Sequence, residues 1–521
     1  DTVFKNNSTS GAEGKGGAIL LEKTKSIIRG CTFEENKTGT AYQNVGGAVF
    51  SKAGSDLTIR SCKFNNNASG RGGAIANTGN LSIVEGTTFT DNTCTEGGAA
   101  VYNGGNGVVT DNGSTYKMNT LTEVHAGGAI RNDGTNTKYS LVGVVLKENS
   151  SKGDGGAIYN TGTLKATDGC KFIGNKGRQG GALYNKGTVT LDNAIFDETS
   201  YDGNEGSCIY NFAKAKLNVK QVEMKNIGTG KNNHAIINSG GTISTVKNSK
   251  QTLKIDNVAG HGLVNMGNGS AELIGVTIQD VTGDERYGVY SDSGSVNLKD
   301  VSIKNVTKDA VYVEGGTAKI EDATIENITR AAITATDERD DKTNELVSTG
   351  EVTLKNVTAN NNTAKTSGGV IYQYAWGGKL DVIDCEFDSN NAASKGGALW
   401  AGAKGLVTVN NGTFSNNTAA NGGAVYLDTS LMGGNASPAR VVVTGNSVFE
   451  DNQATTGEGG AIYVADTTSA GTGATSLTMT GATLSGNKAL NKGGALATDA
   501  TGPNLLIDCT NCVFDANQSG Y

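Results

Sequence analysis

Short runs in which apolar and polar residues alternate recur along the whole chain, each closed by Gly, Asn, Asp or Ser. A period of two is the pattern of a strand with one buried face, and it predicts short β-strands separated by turns. One stretch shows the plan: Gly155-Gly156-Ala157-Ile158-Tyr159-Asn160, a Thr-Gly turn, Thr163-Leu164-Lys165-Ala166-Thr167, then Cys170-Lys171-Phe172-Ile173-Gly174-Asn175. These are three strands with their turns. No helical period runs through them, and no regular Asn-Gly hairpin folds one strand back on the next.

Two motifs mark a repeat. Gly-Gly-Ala-aliphatic begins at Gly16, Gly46, Gly72, Gly97, Gly127, Gly155, Gly180, Gly396, Gly422, Gly459 and Gly493, with degenerate copies at Gly206 and Gly368. Phe-x-x-Asn follows as Phe33/Asn36, Phe64/Asn67, Phe89/Asn92, Phe172/Asn175, Phe387/Asn390, Phe414/Asn417, Phe449/Asn452 and Phe514/Asn517, with Leu146/Asn149 and Leu484/Asn487 as variants. Copies of the first motif lie mostly 25 to 30 residues apart. A unit this small cannot bury a core alone, but it can do so by stacking on its neighbours with equivalent strands ~4.8 Å apart. The predicted fold is all-β: a single-stranded parallel β-helix of about eighteen coils, right-handed by the general rule for parallel crossovers.

The prediction covers 1–521 as one continuous β-helix. Residues 1–211 and 351–521 form coils with both motifs, and 212–350 form shorter, degenerate ones. In that middle stretch Gly288-Val289-Tyr290, Ala310-Val311-Tyr312 and Ala332-Ile333-Thr334 recur at intervals of 22. Neither end carries an amphipathic cap, so the chain is expected to be a segment of a longer solenoid, or one whose ends are capped by neighbouring chains.

Composition narrows the function. Gly is 76 of 521 residues and Pro only 2, which fits turn-rich coils and excludes collagen-like or Pro-rich chains. The net charge is −7 with no basic run, so nucleic acid and anionic membranes are poor partners. No apolar stretch is long enough to span a membrane as a helix. Cys31, Cys62, Cys170, Cys385 and Cys512 each stand two residues before a repeat Phe. Such a column reads first as small buried hydrophobes.

The paired motifs resemble the repeats of chlamydial polymorphic outer-membrane protein passenger domains and of related adhesin-like surface proteins. The resemblance covers essentially the whole chain and is weak between 212 and 350. It implies display at the cell surface and adhesion to host or neighbouring cells. The C-terminal β-barrel of the autotransporter type has no counterpart in this sequence, which leaves the export route open.

Several residue sets are candidates for function. The position after the motif aliphatic holds Tyr102, Tyr159, Tyr184, Tyr210, Tyr290, Tyr312, Tyr372, Trp400, Tyr426 and Tyr463. Arg131 and Thr334 share the column, which predicts that it faces outward, as an aromatic stripe for sugars or a partner surface or as rings that stiffen the sheet. The Asn that follows, from Asn77 to Asn265, is expected to form an amide ladder. Asp337, Asp340 and Asp341 lie in a charged insertion that could hold Ca²⁺, although the order of ligands is not that of a calcium loop. His234 and His261 are placed to stack on adjacent coils. Asn36, Asn67, Asn305, Asn327, Asn356 and Asn416 head glycosylation sequons. Loop excursions are expected near 103–124, 335–347 and 427–440.

No catalytic residue set and no cofactor is expected. The carboxylate pair of a glycoside hydrolase and the Asp clusters of catalytic β-helices are not legible. The leading expectation is a non-enzymatic extracellular protein, adhesin-like, attached at the cell surface and binding host or neighbouring-cell molecules or glycans. The alternatives are a filament subunit assembling end to end with itself and, on fold analogy alone, a polysaccharide lyase or glycoside hydrolase.

Overall fold

The computed structural model describes residues 2–201, 206–228, 233–246, 253–339, 345–374, 378–402, 405–428, 439–466, 475–500 and 505–520. The chain is an all-β parallel solenoid of about seventeen turns, close to the eighteen expected. It divides into two compact units, Asp1–Leu263 and Val264–Tyr521.

In the first unit each coil contributes a strand after Gly-Gly-Ala, a second strand, a third centred on the Phe position, and often a short fourth. Ile75–Asn77, Asn80–Val84, Thr88–Thr90 and Thr93–Gly97 are one such set. The first three strands lie parallel to their counterparts one coil away and in register, as in Tyr159↔Tyr184, Leu164↔Val189 and Phe172↔Phe196, whereas the short fourth strand Thr93–Gly97 shifts register against Ala68–Arg71. Toward the end of this unit the second and third strands fuse, giving Lys216–Ile227.

The second unit repeats the plan. Its first coils carry the fused form, Ser270–Val281, Ser295–Val306 and Thr317–Ile328, and the short fourth strand begins only at Thr363–Ala364. Without that strand and its turn a coil closes in fewer residues, which is the physical content of the 22-residue interval. Among the described residues the one antiparallel pairing is a small hairpin, Glu338–Arg339 with Leu346–Ser348, in the expected insertion.

Two sequence features set the coil-to-coil contacts. In Gly-Gly-Ala the first glycine has positive φ, 67° at Gly46. The second lies against the next coil: a Cβ on Gly47 would stand 2.1 Å from the Gly73 carbonyl oxygen. In Phe-x-x-Asn the Phe rings stack inside the core, with centroids 4.7 Å apart for Phe4–Phe33 and Phe33–Phe64 and 5.0 Å for Phe64–Phe89. The residue before the Asn takes the left-handed conformation, as at Glu35, Asn66, Asp91, Met118 and Glu148. That turn sends the Asn side chain inward.

The stretch at 103–124, expected to be a loop excursion, is a regular coil. Val108–Asn112 and Thr115–Lys117 pair with coils on both sides. Tyr116 takes the Phe position, stacked 4.6 Å from Phe89, and Asn119 takes the Asn position. Tyr in place of Phe hides this copy of the motif in the sequence. Most of the expected excursion at 427–440 lies outside the described residues.

Candidate functional site

The aromatic column is in register as its spacing requires. In the first unit it runs Leu20, Phe50, Ala76, Tyr102, Arg131, Tyr159, Tyr184, Tyr210 and Ile237. In the second it runs Tyr290, Tyr312, Thr334, Tyr372, Trp400, Tyr426, Tyr463 and Ala497. These side chains point away from the aliphatic core and form clusters of their own, Val45, Phe50, Ala76 and Tyr102 in one and Trp400, Tyr426 and Tyr463 in another.

The column is nevertheless covered. Tyr184 is 3 % exposed and Trp400 7 %, whereas Tyr290, Tyr312 and Tyr372 are half-buried. The rings cover one another: Tyr159–Tyr184, Tyr184–Tyr210, Tyr372–Trp400 and Tyr426–Tyr463 stack at 5.5, 5.1, 4.5 and 5.0 Å. Their faces are spent on each other.

At two smaller residues of the column, Ala76 and Thr334, a cation from elsewhere fills the gap. Beside Ala76 the Arg71 guanidinium lies 3.8 Å from the Tyr42 ring centroid and 4.7 Å from that of Tyr102. It also donates to the Tyr102 hydroxyl at 2.9 Å. Beside Thr334, Arg330 lies 5.9 Å from the Tyr372 ring and 3.5 Å from the buried Asp309 carboxylate. Lys186 sits over Tyr159, Tyr184 and Phe212, and Lys395 over Tyr426. These are cation–π contacts. Arg71, Arg330 and Lys395 lie outside the motif column and had no signal in the sequence beyond their charge.

Two buried amide ladders run along the coils. The expected one links Asn77, Asn103, Asn132, Asn160, Asn185, Asn211 and Asn238, each Nδ2 donating to the next Oδ1 at 2.8 to 2.9 Å. The other is built from the Phe-x-x-Asn asparagines. The Asn67 Nδ2 and backbone N–H both donate to Asn92 Oδ1, and Asn92 Nδ2 reaches back to the Phe64 carbonyl. The repeated Gly, Phe and Asn residues thus hold coil to coil.

The remaining candidates are dispersed. His234 and His261 stack at 4.7 Å, and His234 Nδ1 accepts the His261 backbone N–H at 2.9 Å. Asp337 is buried, with Arg339 at 3.9 Å, while Asp340 and Asp341 lie outside the described residues. Among the described residues no three His, Cys, Asp or Glu come together as a metal site. All eight cysteines are free; burial raises the Cys62 and Cys170 thiol pKa and lifts that of Cys385 to about 11. Of the sequon asparagines, Asn305, Asn327, Asn356 and Asn416 are exposed at left-handed backbone positions. Asn36 and Asn67 have no exposed surface and their amide hydrogens are engaged in the ladder, so the folded coil has no room there for a glycan.

One polar group lies deep in the core and was not anticipated. Asp111 is buried on the strand Val108–Asn112, and its Oδ2 accepts the Tyr116 hydroxyl at 2.5 Å. The Tyr139 hydroxyl lies 3.1 Å from that of Tyr116. Among the described residues no hydrogen bond reaches Asp111 Oδ1. Burial lifts the carboxyl pKa from 3.8 to about 6.

Comparison with known proteins places the repeats. The model of the Chlamydia polymorphic membrane protein repeat matches at residues 86–104, 143–161, 411–428 and 446–465. No curated protein matches over the sequence. Among solved structures, the PL6 family alginate lyase AlyGC is 8 % identical over 98 % of this chain and 97 % of its own, with a TM-score of 0.23. The catalytic domain of a GH87 α-1,3-glucanase in complex with nigerose is 10 % identical over 97 % of this chain and 68 % of its own, with a TM-score of 0.22. The Azotobacter vinelandii mannuronan C-5 epimerase AlgE6 A-module is 13 % identical over 96 % and 91 %, with a TM-score of 0.20. Likeness at that level carries no functional argument. In its repeats the chain resembles the chlamydial polymorphic membrane proteins, at four places divided between its two units.

Proposed function

We propose that this is a non-enzymatic protein displayed outside the cell, which attaches its bearer to host cells, neighbouring cells or matrix. The observation that carries this reading is the fourfold match to a repeat described for membrane proteins of Chlamydia. The coil architecture supports it. Because the repeated glycines, phenylalanines and asparagines are consumed by coil-to-coil contacts, the outward positions of the strands are left to vary, and a partner meets those.

The test is binding of the labelled, purified chain to cultured epithelial cells and to immobilised matrix. Saturable binding that unlabelled chain displaces is the expected result. Binding no greater than that of an unrelated β-solenoid of similar charge sinks the reading. Release of reducing ends or unsaturated sugars from polysaccharides by the same preparation would move the protein to the enzymes.

A further inference from the structure

The outward residues of the first unit's second and third strands form ranks, because each lies in register with its counterpart one coil away. From 108 to 173, across three successive coils, the charged residues on these ranks are Lys117, Lys138, Lys147, Lys165 and Lys171; no carboxylate stands among them. Lys117 and Lys147 are direct partners, one rung or ~4.8 Å apart, so like charges are set side by side. Lys147 pairs with Glu148 at the bordering turn, at 3.3 Å. The other four make no ion pair among the described residues.

The coils that follow differ. There each acid finds a lysine in register: Lys220 with Asp192 at 2.9 Å, Lys225 with Asp197 at 3.5 Å, and Lys254 with Glu223 at 3.3 Å. The same face of the same unit is therefore neutralised in one stretch and left cationic in the next. Between the lysines stand half-buried hydroxyls, Thr115, Ser140 and Thr163, and the small apolar side chains Val142 and Val145.

We infer that this face binds a linear acidic polysaccharide. Its cations are spread over neighbouring rungs ~4.8 Å apart, a spacing comparable to that of charges along a chain of acidic sugars. The hydroxyls between them suit sugar hydroxyls, and the valines suit the C–H faces of the rings. The face offers no aromatic surface for nucleobases and no protruding apolar wedge for a bilayer, and the chain as a whole is acidic, with a net charge of −7. The inference rests on the attachment reading and gives it a ligand class.

The experiment measures binding of the 521-residue chain to immobilised heparin (sulfate and carboxylate), polygalacturonate (carboxylate only) and dextran (neutral), alongside duplex DNA and phosphatidylserine vesicles. One variant carries Lys117→Gln, Lys138→Gln, Lys147→Gln, Lys165→Gln and Lys171→Gln. A control variant carries Lys220→Gln, Lys225→Gln and Lys254→Gln from the neutralised coils. The expected result is salt-sensitive binding to at least one acidic polysaccharide and none to dextran, with about tenfold or greater loss in the first variant and about twofold or less in the control. The two polysaccharides tell which anion is read. Absence of binding to both, equal losses in the two variants, or equally tight binding to DNA or vesicles overturns the inference. Cell attachment that persists in the first variant separates that failure from failure of the attachment reading.

Discussion

Asp111 shows how a single residue couples the coil to pH. Its carboxyl pKa is raised by burial from 3.8 to about 6, so the folded state holds the proton more tightly than the unfolded chain does. Its contribution to stability is greatest below pH 4 and is lost as pH rises through 6, by about 3 kcal/mol, at 1.36 kcal/mol per unit of pKa. Asp111→Asn keeps an acceptor for Tyr116 and removes the charge. Relative to the native chain it is expected to gain about 1–3 kcal/mol at pH 8 and little at pH 4, measured by denaturant titration; parallel pH curves would show that the carboxylate is solvated. At Asn92 the expected change has the opposite sign. Asn92→Ala strands the Asn67 backbone N–H and the Phe64 carbonyl inside the core, and a loss of about 2–4 kcal/mol is expected in the same assay. The Asn residues of Phe-x-x-Asn stood out in the sequence as a motif, but their ladder did not. Recognising it needs the knowledge that the preceding residue is left-handed and turns the amide inward.

At the scale of the strand and its turn, the two glycines of Gly-Gly-Ala carry different burdens. Gly47→Ala would put a methyl 2.1 Å from the Gly73 oxygen and 2.5 Å from that of Ala68. A loss of about 3 kcal/mol or more, or failure to fold, is expected, seen as a lowered thermal midpoint in circular dichroism. Met118, half-exposed at φ 54°, is strained in a milder way. Met118→Asn supplies a residue that tolerates this conformation and is expected to raise stability by about 0.5 kcal/mol; a lower midpoint would show that the Met side chain packs more than its exposure suggests. Strand order, coil length and the short middle coils were legible because alternation and turn residues are local signals. Tyr116 escaped by replacing Phe. The lysine face escaped because its successive members lie six to twenty-one residues apart and become neighbours only once the register is known. The aromatic column was found by spacing, but only the structure shows its rings stacked on one another and its gaps filled by Arg71 and Arg330.

Within the whole first unit each coil touches chiefly its neighbours, so stability is a sum of coils and the joints between them. Gly156→Ala, which sets a methyl against the Gly181 and Lys176 carbonyls, is expected to raise amide exchange from Ile130 to Asn185 while strands Val49–Ser51 and Asp56–Arg60 keep their protection. Uniform loss of protection across the unit would mean one cooperative block. The buried amide ladder of this unit joins partners 29, 31, 25, 27, 30 and 26 residues apart in sequence. Register is thus indifferent to how much chain each circuit takes, and the consequence is genetic. A recombination that fuses the codon of Asn92 to that of Asn119 deletes one circuit, yet leaves every column occupied and every amide with a partner. Such a gene changes length in whole circuits, and copy number becomes a heritable setting that selection adjusts while the contacts of the repeated Gly, Phe and Asn residues are kept.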